Sequence, residues 1–281
     1  MRLSFEKWEG LGNDFVVVRA GDVERPLDDA AIRRLCDRRF GIGADGVLVV
    51  DVTGPAPRMV VRNADGSRPE MCGNGLRCVA AHLASLAAGG LLFIDTDAGR
   101  KACEIAGVTA GTFDVAVDMG TARRGEDLVA TVAGRVHRFL TIDMGNPHAI
   151  TFEAHDDGAV DTLGPAVATL PPGGTNVEFC RVVEGGHPTR GTPGTPPTHP
   201  TPPTHLAVTV WERGVGRTLA CGTGACAVAA AACDTGRARF GEPIVVTLPG
   251  GDLELTVTAG TRAVRMRGPA RRVFTGEVVI A

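Results

Sequence analysis

The sequence predicts an α/β (α+β) protein of two pseudo-symmetric domains, each made of mainly antiparallel strands around one central helix. Three observations support this prediction. Most apolar residues fall in short runs that alternate with polar ones, which is the period of a half-buried strand. Two longer runs, residues 79–88 and the run that begins at Val228, are rich in alanine and poor in charge, as in helices buried on most sides. Each run follows a cysteine-glycine turn, and the two turns match one another.

In the first half, the predicted elements follow one another closely. Arg2–Trp8 alternates as a strand, Gly10–Asn13 forms a turn, and Phe15–Val18 forms a second strand. Asp28 can cap a helix that runs to about Arg39, with a glycine shortly after it as a stop. Further strands are predicted at Gly46–Asp51, Arg58–Arg62 and Leu91–Thr96.

The second half has the same character, with one interruption. Strands are predicted near Phe139–Asp143, Asn176–Val183, Leu206–Trp211, Ile244–Leu248 and Leu253–Val257, the last two joined by a Pro-Gly-Gly hairpin turn. The interruption is Gly185–His205, which is rich in proline and threonine. We expect an inserted surface loop there, and the alternative is a docking arm in the polyproline II conformation.

The composition is that of a globular protein with no affinity for nucleic acid or membranes. Charged residues make up 22% of the 281 positions, and the formal net charge is −3 with both signs interspersed. The first residues contain no apolar signal core, so a cytoplasmic protein is expected. In a chain of this length without a signal peptide, we expect the eight cysteines to be reduced thiols. They include no C-x-x-C pair, so no metal site is expected.

The two cysteine-glycine turns are the strongest functional signal. With one constant offset, Cys72 corresponds to Cys221, Gly73 to Gly222 and Gly75 to Gly224. Each cysteine is expected at the N-terminus of its helix, where backbone N–H groups and the helix dipole favour negative charge. A cysteine in that position has a lowered pKa and is partly a thiolate near neutral pH.

Two such thiols are suited to proton transfer at a carbon atom. If one is a thiolate and the other a thiol, a small acid can lose a proton from one face and gain one on the opposite face, which inverts the carbon. The helix N-termini would hold the substrate carboxylate. His148 and Glu212 are predicted to influence which sulfur is charged, and the alternative for His148 is a structural, hydrogen-bonded residue.

No cofactor is predicted for this chemistry. Pyridoxal phosphate, which often supports amino acid racemisation, forms a Schiff base with lysine, and the chain has only Lys7 and Lys101. Neither lysine lies in a phosphate-binding context, and the sequence contains no Walker or Rossmann motif.

Specific motifs over most of the chain resemble those of the diaminopimelate epimerases. They are GLGNDF (10–15), FGIGADG (40–46), NADGS (63–67), MCGNGLRC (71–78), MGNPH (144–148), TNVEF (175–179), WERGVG (211–216), ACGTGACA (220–227) and LPGG (248–251). The resemblance implies two domains, residues 1–117 with 268–281 and residues 118–267, each a β-roll around a central helix. It further implies a homodimer that interconverts LL- and meso-diaminopimelate without a cofactor, for lysine and peptidoglycan synthesis.

The resemblance also implies roles for individual residues. The catalytic pair would be Cys72 and Cys221, and the residues that tune their pKa would be His148 and Glu212. The expected substrate contacts are Asn13, Asn63, Gly73, Asn74, Asn146, Asn176, Glu212, Arg213, Gly222 and Thr223. One departure is Gly46, which stands where many members have a glutamine.

Three alternatives differ in reaction or in class. The nearest is another cofactor-independent racemase, such as one for proline. Arg213 argues against it, because its guanidinium can bind a distal carboxylate that proline lacks. A proline-sized substrate would leave this guanidinium unpaired, and with it the side chains of Asn63, Asn146 and Asn176. The second is an isomerase of this fold without thiol chemistry, which the presence of both cysteines disfavours. The third is a non-catalytic relative that binds partners through the Pro/Thr-rich stretch.

Overall fold

The computed structural model describes residues 1–87, 90–183 and 203–280, and the chain divides into two compact units. Unit one consists of Met1–Asp118 and Arg267–Ala281, and unit two consists of Met119–Met266. Both are mainly strands with a few helices, which confirms the predicted α/β class. No helix in the described ranges is long and apolar enough to span a membrane.

In its described residues, unit one is a mixed sheet with two α-helices and one short 3₁₀ helix, Ala20–Asp22. Its elements are β1 (Arg2–Gly10), β2 (Asn13–Arg19), α1 (Asp29–Cys36), β3 (Gly46–Asp51), β4 (Arg58–Asn63), α2 (Gly73–Leu86), β5 (Leu91–Thr96), β6 (Gly99–Thr109) and β7 (Thr112–Thr121). Most neighbouring strands pair antiparallel, whereas β2 pairs with β3 and β4 with β5 in parallel. The strand that closes this unit comes from the far end of the sequence, where β17 (Ala263–Val279) pairs antiparallel with β1.

The helix α2 is the buried centre of unit one. Leu76, Cys78, Val79 and Ala80 are fully buried, because a helix of small apolar residues can be covered on most sides. The strands β1, β2 and β6 of the sheet pack against α2.

The helix α1 begins as predicted but ends earlier. The Asp28 side chain accepts a hydrogen bond from the Ala31 N–H at 2.8 Å, so it is the expected N-cap. The helix ends at Cys36, three residues before the predicted Arg39, because the Asp37 carboxylate binds the next backbone N–H groups and starts a turn. The chain then passes so close to the helix that a Cβ at Gly41 would lie 1.9 Å from a backbone oxygen of α1.

Unit two repeats the plan around a second helix. Its elements are β8 (Arg123–Arg124), β9 (Leu128–Val132), β10 (Arg135–Asp143), β11 (Pro147–Thr151), α3 (Asp157–Ala168), β12 (Asn176–Val182), β13 (Thr204–Glu212), β14 (Gly216–Thr218), α4 (Gly222–Asp234), β15 (Ile244–Leu248), β16 (Gly251–Val257) and the first residues of β17. Again most pairs are antiparallel, and β11–β12 and β13–β15 are the parallel ones. The helix α4 is buried from Ala225 to Ala232.

The helix α3 was not predicted from the sequence. Asp156 caps it by accepting from the Ala159 N–H at 2.7 Å, but Gly164 and Pro165 inside it weaken the helical pattern. Gly164 is required by packing, since a Cβ there would lie 2.7 Å from Cγ of Trp211. Tertiary contact therefore outweighs local preference in this segment.

Most of the predicted 185–205 insertion lies outside the described residues. The flanking strands β12 and β13 pair antiparallel, with Val182 opposite Leu206, so residues 184–202 connect two neighbouring strands. Thr204 and His205 already belong to β13, and His205 Nε2 lies 2.6 Å from the Thr247 hydroxyl. The insertion is therefore shorter at its C-terminal end than predicted.

Candidate active site

Cys72 begins the central helix of unit one. It is the N-cap of α2, with extended backbone angles, and its sulfur accepts a hydrogen bond from the Gly75 N–H at 3.5 Å. The side chain is half-buried. The predicted position at a helix N-terminus is therefore correct.

Two asparagines predicted to contact substrate lie together in unit one. The Asn74 side chain donates to Oδ1 of Asn13 at 3.0 Å, and Asn13 in turn donates to Oδ2 of Asp45 at 2.7 Å. The Arg38 guanidinium binds Asp45 and Asp14 at 2.7 Å each, which fixes the acid that holds Asn13. The turn that carries Asn13 is thus supported by a charged network.

Asn63 and Gly73 complete the predicted set in unit one. Asn63 ends β4 opposite Gly46, and its side chain donates to the Ser67 hydroxyl at 2.9 Å. Gly73 is buried as the first residue of α2. The hydrogen bond of Asn63 lies within its own turn.

Cys221 occupies the corresponding place in unit two. It is the N-cap of α4, and its sulfur accepts from the Gly224 N–H at 3.4 Å and lies 3.6 Å from the Thr223 hydroxyl. Unlike Cys72, it is buried, with only 7% of its surface exposed. Both predicted catalytic cysteines therefore make the same helix N-cap contact, but in different surroundings.

The lowered thiol pKa predicted from the sequence is wrong for Cys221. Burial raises the pKa of this thiol well above its ordinary value, and the nearby carboxylates of Glu212 and Glu178 raise it further. Hydrogen bonds from Thr223 and from the Gly224 N–H act in the opposite direction but are outweighed. Together these effects favour the protonated thiol at Cys221.

The buried neighbours of Cys221 include a histidine–carboxylate pair. His148 Nδ1 lies 2.7 Å from Oε1 of Glu178, and both side chains are fully buried. The other ring nitrogen, Nε2, lies 3.1 Å from Oδ1 of Asn146. Gly224 leaves room for this arrangement, because a Cβ there would lie 2.7 Å from Oε1 of Glu178 and 3.2 Å from the Cys221 sulfur.

The remaining predicted residues of unit two lie around the end of β13. Glu212 accepts from the Thr218 hydroxyl at 2.6 Å, and its charge acts on Cys221. Asn176 Oδ1 accepts from the backbone N–H of Arg213 at 2.9 Å. The Arg213 guanidinium donates to the Gly173 carbonyl.

The two units place different residues at equivalent positions. In unit one, Phe15 pairs with Gly46 across parallel strands, whereas in unit two His148 pairs with Asn176. Two residues further along, Leu48 corresponds to Glu178. The helix contacts agree, because a Cβ at Gly75 would lie 3.0 Å from Leu48, just as one at Gly224 would meet Glu178. An apolar pair in unit one is therefore replaced by an ionisable pair in unit two.

Glu178 is the residue that the sequence analysis missed. It lies in the TNVEF motif, but no role was assigned to it. The available signal was an acid within an apolar strand, NVEFC, since a buried carboxylate requires a partner. The mirror position in unit one, Leu48, would have supported that interpretation.

The other six cysteines are buried as well. Burial raises the pKa of Cys36 and Cys233 to about 11 and that of Cys103 to about 12. Burial also raises the pKa of Cys78 and Cys180. Across residues 1–87, 90–183 and 203–280, no group of three or more His, Cys, Asp or Glu side chains is arranged to hold a metal ion.

Sequence comparisons match the chain over almost its full length. The model of the diaminopimelate epimerase family matches residues 5–125 and 140–273. The diaminopimelate epimerase of Desulforudis audaxviator is 41% identical over 299 aligned residues, which cover 99% of this chain and 100% of that protein. The chloroplastic diaminopimelate epimerase of Oryza sativa subsp. japonica is 38% identical and covers 99% of this chain and 80% of its own length.

Solved structures with low sequence identity share the fold. A predicted epimerase from Pseudomonas aeruginosa superimposes with a TM-score of 0.70 at 19% identity, over 99% of this chain and 100% of that one. A probable proline racemase from Agrobacterium radiobacter superimposes with a TM-score of 0.67 at 15% identity, over 99% and 93%. At this identity the likeness concerns the fold alone.

Proposed function

Because this chain belongs to the diaminopimelate epimerase family, we propose that it interconverts LL- and meso-2,6-diaminopimelate with two cysteine thiols. The observation that carries the proposal is the repeated cysteine N-cap. In each unit one cysteine begins the central buried helix, and its sulfur accepts from the N–H three residues further on. A single cysteine at a helix N-cap is compatible with many functions. Two such cysteines, one in each of two related units, can supply both the acid and the base of one reaction.

The reaction is a stepwise exchange of protons at one α-carbon. The thiolate of one cysteine removes the α-proton and becomes a thiol, and the bonding electrons remain on the substrate as a carbanion. The second thiol donates its proton to the opposite face and becomes the thiolate. The carbon is inverted, no electrons are gained or lost, and the reverse reaction exchanges the two roles.

The protonated state of Cys221 fits this scheme. A two-base reaction needs one thiol that is protonated before substrate binds, and burial with two nearby carboxylates keeps Cys221 in that state. In the proposed mechanism Cys221 is therefore the initial proton donor, and Cys72 is the initial base. Glu212 contributes to this difference through its charge.

The two carboxylates of the substrate are proposed to bind to backbone N–H groups at helix N-termini and to polar side chains. The N-terminal N–H groups of a helix favour an anion, which suits the reacting carboxylate at Gly73–Asn74 and Gly222–Thr223. Arg213 is proposed to bind the distal carboxylate. Further substrate contacts are proposed for four asparagines, Asn13, Asn63, Asn146 and Asn176. The hydrogen-bond partners that these side chains have in the structure are polar groups that a substrate carboxylate can replace. One example is the Gly173 carbonyl, to which the Arg213 guanidinium donates.

A cofactor-free reaction is supported by the residues themselves. The thiol pair supplies both proton-transfer groups, so no electron sink bound to a lysine is required. Lys7, one of the two lysines, is 6% exposed and forms an ion pair with Asp14 at 2.6 Å. A Schiff base at this position would break that pair.

The family resemblance also supports proposals about the working form of the protein. We propose a cytoplasmic homodimer whose product serves peptidoglycan as well as lysine synthesis. Sedimentation equilibrium should give twice the chain mass of 29.1 kDa. A monomer at micromolar concentration that is fully active would refute the dimer.

The deciding experiment is incubation with LL-diaminopimelate in deuterated water. Chiral chromatography should show conversion to the meso isomer, and mass spectrometry should show one deuterium at the inverted carbon, because the returned proton comes from a thiol in exchange with solvent. Proline of either hand should remain unchanged. Racemisation of proline with no change of diaminopimelate would replace this function with that of the proline-type racemases.

A further inference from the structure

Arg213 is an exposed arginine that the fold nevertheless holds at both ends. It follows Glu212, the last residue of β13, in the turn that leads to β14. Its backbone N–H donates to Oδ1 of Asn176 at 2.9 Å, and its guanidinium donates to the Gly173 carbonyl. Both acceptors belong to the short segment from the end of α3 to the first residue of β12. This segment therefore binds the backbone and the head group of the same arginine.

Between these two contacts, the aliphatic stem of Arg213 lies against Gly174. A Cβ at Gly174 would be 2.7 Å from Cδ of Arg213 and 3.1 Å from its Cγ, so the stem occupies the space in which a side chain would begin. Gly174 also has a φ of 74°, in the left-handed region that glycine adopts without strain. The lack of a side chain at this position therefore determines where the stem of Arg213 can lie.

The turn that contains Gly174 is anchored to the end of α3. The Thr175 N–H donates to the Ala168 carbonyl at 2.9 Å, and the Gly174 N–H donates to the Pro171 carbonyl at 2.8 Å. The Ala168 oxygen would itself lie 2.9 Å from a Cβ at Gly174. The glycine is thus enclosed between the backbone of α3 and the stem of Arg213, and it cannot move away from the stem without loss of these hydrogen bonds.

The helix α3 also supports the hairpin that carries Arg213. Before the arginine, Trp211 of β13 packs against Gly164 of α3, where a Cβ would lie 2.7 Å from Cγ of the indole. After it, Arg217 of β14 binds Asp161 of α3 at 2.6 Å. The hairpin is therefore attached to α3 on both sides of Arg213, so the arginine and the turn that contacts its stem share one support.

An arginine that is already held binds an anion at a lower entropic cost than a free one. The side chain has many rotamers, and an exposed arginine loses that freedom when it binds a ligand. A stem that lies against the backbone has lost part of this freedom before binding. A carboxylate can replace the Gly173 carbonyl at the guanidinium, but the contact of the stem with Gly174 does not depend on that exchange.

We propose that Gly174 is a positioning residue that holds the stem of Arg213 and thereby directs its guanidinium towards the distal carboxylate of the substrate. This rests on the proposed function, in which Arg213 binds that carboxylate. Gly174 does not touch the substrate and acts only through the arginine. It therefore affects KM for the substrate, whereas kcat depends on the cysteines that transfer protons at the α-carbon.

The test combines Gly174→Ala with Arg213→Ala in a double-mutant cycle. The added methyl group displaces the stem, so KM for LL-diaminopimelate should rise about fivefold, as when one flexible side chain must be ordered on binding, while kcat changes less than about twofold. In the Arg213→Ala background the same substitution should change KM less than about twofold, because the stem that it displaces is gone. The contact with the Ala168 carbonyl and the backbone strain remain in that background, so the cycle separates them from the effect on Arg213.

A matched control isolates the backbone strain. Gly134, in the turn between β9 and β10, has nearly the same φ, 75°, but a Cβ there would have no described atom within 4 Å apart from its chain neighbours. Gly134→Ala should lower Tm and leave KM unchanged, because strain alone does not reach Arg213. An equal rise in KM from Gly174→Ala with and without the Arg213 side chain, or no rise at all, would overturn the proposal.

The mobility of Arg213 is measured separately and needs no turnover. In ¹⁵N relaxation experiments, the Nε–H group of Arg213 should be ordered on the ps–ns timescale in the wild-type protein and more mobile in Gly174→Ala. Gly174→Asn, which adds the same Cβ but tolerates the left-handed region better, should show the same loss of order. If the wild-type protein fails to convert diaminopimelate, the proposed function falls, while this measurement still decides whether Gly174 holds Arg213. A mobile Arg213 in the wild-type protein would refute the positioning role, even if neither variant folds.

Discussion

Gly224→Ala tests the crowding beside Cys221 most directly. The added Cβ would lie 2.7 Å from Oε1 of Glu178 and 3.2 Å from the Cys221 sulfur. The carboxylate cannot move away at low cost, because it is fully buried and bound to His148 at 2.7 Å. Gly75→Ala is the matched control in unit one, where the nearest atom is a Leu48 methyl group at 3.0 Å.

The size of the effect follows from two opposing contributions. Alanine in place of glycine favours a helix by up to about 1 kcal/mol. Overpacking of a filled core costs about 1–3 kcal/mol. We expect Gly224→Ala to lower the free energy of unfolding by up to about 2 kcal/mol, which corresponds to roughly 2–4 °C in Tm for each kcal/mol in a unit of this size. Gly75→Ala should be close to neutral, since a leucine methyl group can shift by a few tenths of an ångström.

The assay pairs thermal unfolding with kcat/KM for LL-diaminopimelate. Gly224→Ala should also lose at least about tenfold in kcat/KM, because displacing the sulfur and the carboxylate disturbs the acid in the reaction. Equal stability and equal activity of the two alanine variants would refute the reasoning. It would mean that Glu178 is not held rigidly beside the helix.

Three further results are expected. Cys72→Ala and Cys221→Ala should each lower kcat for epimerisation by more than about a hundredfold, because each removes the group that acts on one face of the α-carbon. The control is Cys226→Ala, at a buried cysteine further along α4, which should remain active. Near-normal turnover by either N-cap variant would contradict the two-base mechanism. Arg213→Ala should raise KM for diaminopimelate by about tenfold or more through loss of a charge-assisted hydrogen bond, and an unchanged KM in steady-state kinetics would remove this residue from the distal carboxylate. Replacing residues 186–202 with a short turn should preserve the circular dichroism spectrum and most activity, because β12 and β13 already pair as neighbours, and loss of activity in a folded variant would assign the segment a role at the site.

The parts of the fold that follow local rules could be predicted from the sequence. Alternation identified strands such as Ile244–Leu248, which has the predicted bounds. The repeated turns located Cys72 and Cys221 at helix starts, because glycine-rich turns before alanine-rich runs have few other uses. Asp28 was identifiable as a helix cap from its residue type and position.

The parts that depend on long-range contacts could not be predicted in the same way. The helix α3 contains Gly164 and Pro165, and only the packing of Trp211 against that glycine explains it. The helix N-terminus favours a thiolate at Cys221, but burial and the carboxylates of Glu212 and Glu178 reverse this preference. Of these three causes, the sequence pointed only to Glu212. Glu178 lies more than forty residues before Cys221 in the sequence, so their proximity is visible only in the fold.

The path of β17 determines the order in which the two units can be completed during synthesis. Residues 271–279 of this strand pair with β1, and the partner positions run from Arg2 opposite Val279 to Glu9 opposite Arg271. One side of β1 must therefore wait while the whole of unit two, Met119–Met266, is made. At ribosomal speeds of about 5–20 residues per second this takes roughly 7–30 s. The first strand of the chain therefore pairs with its last strand only at the end of synthesis. During that interval one edge of β1 is unpaired and accessible to other nascent chains and to chaperones.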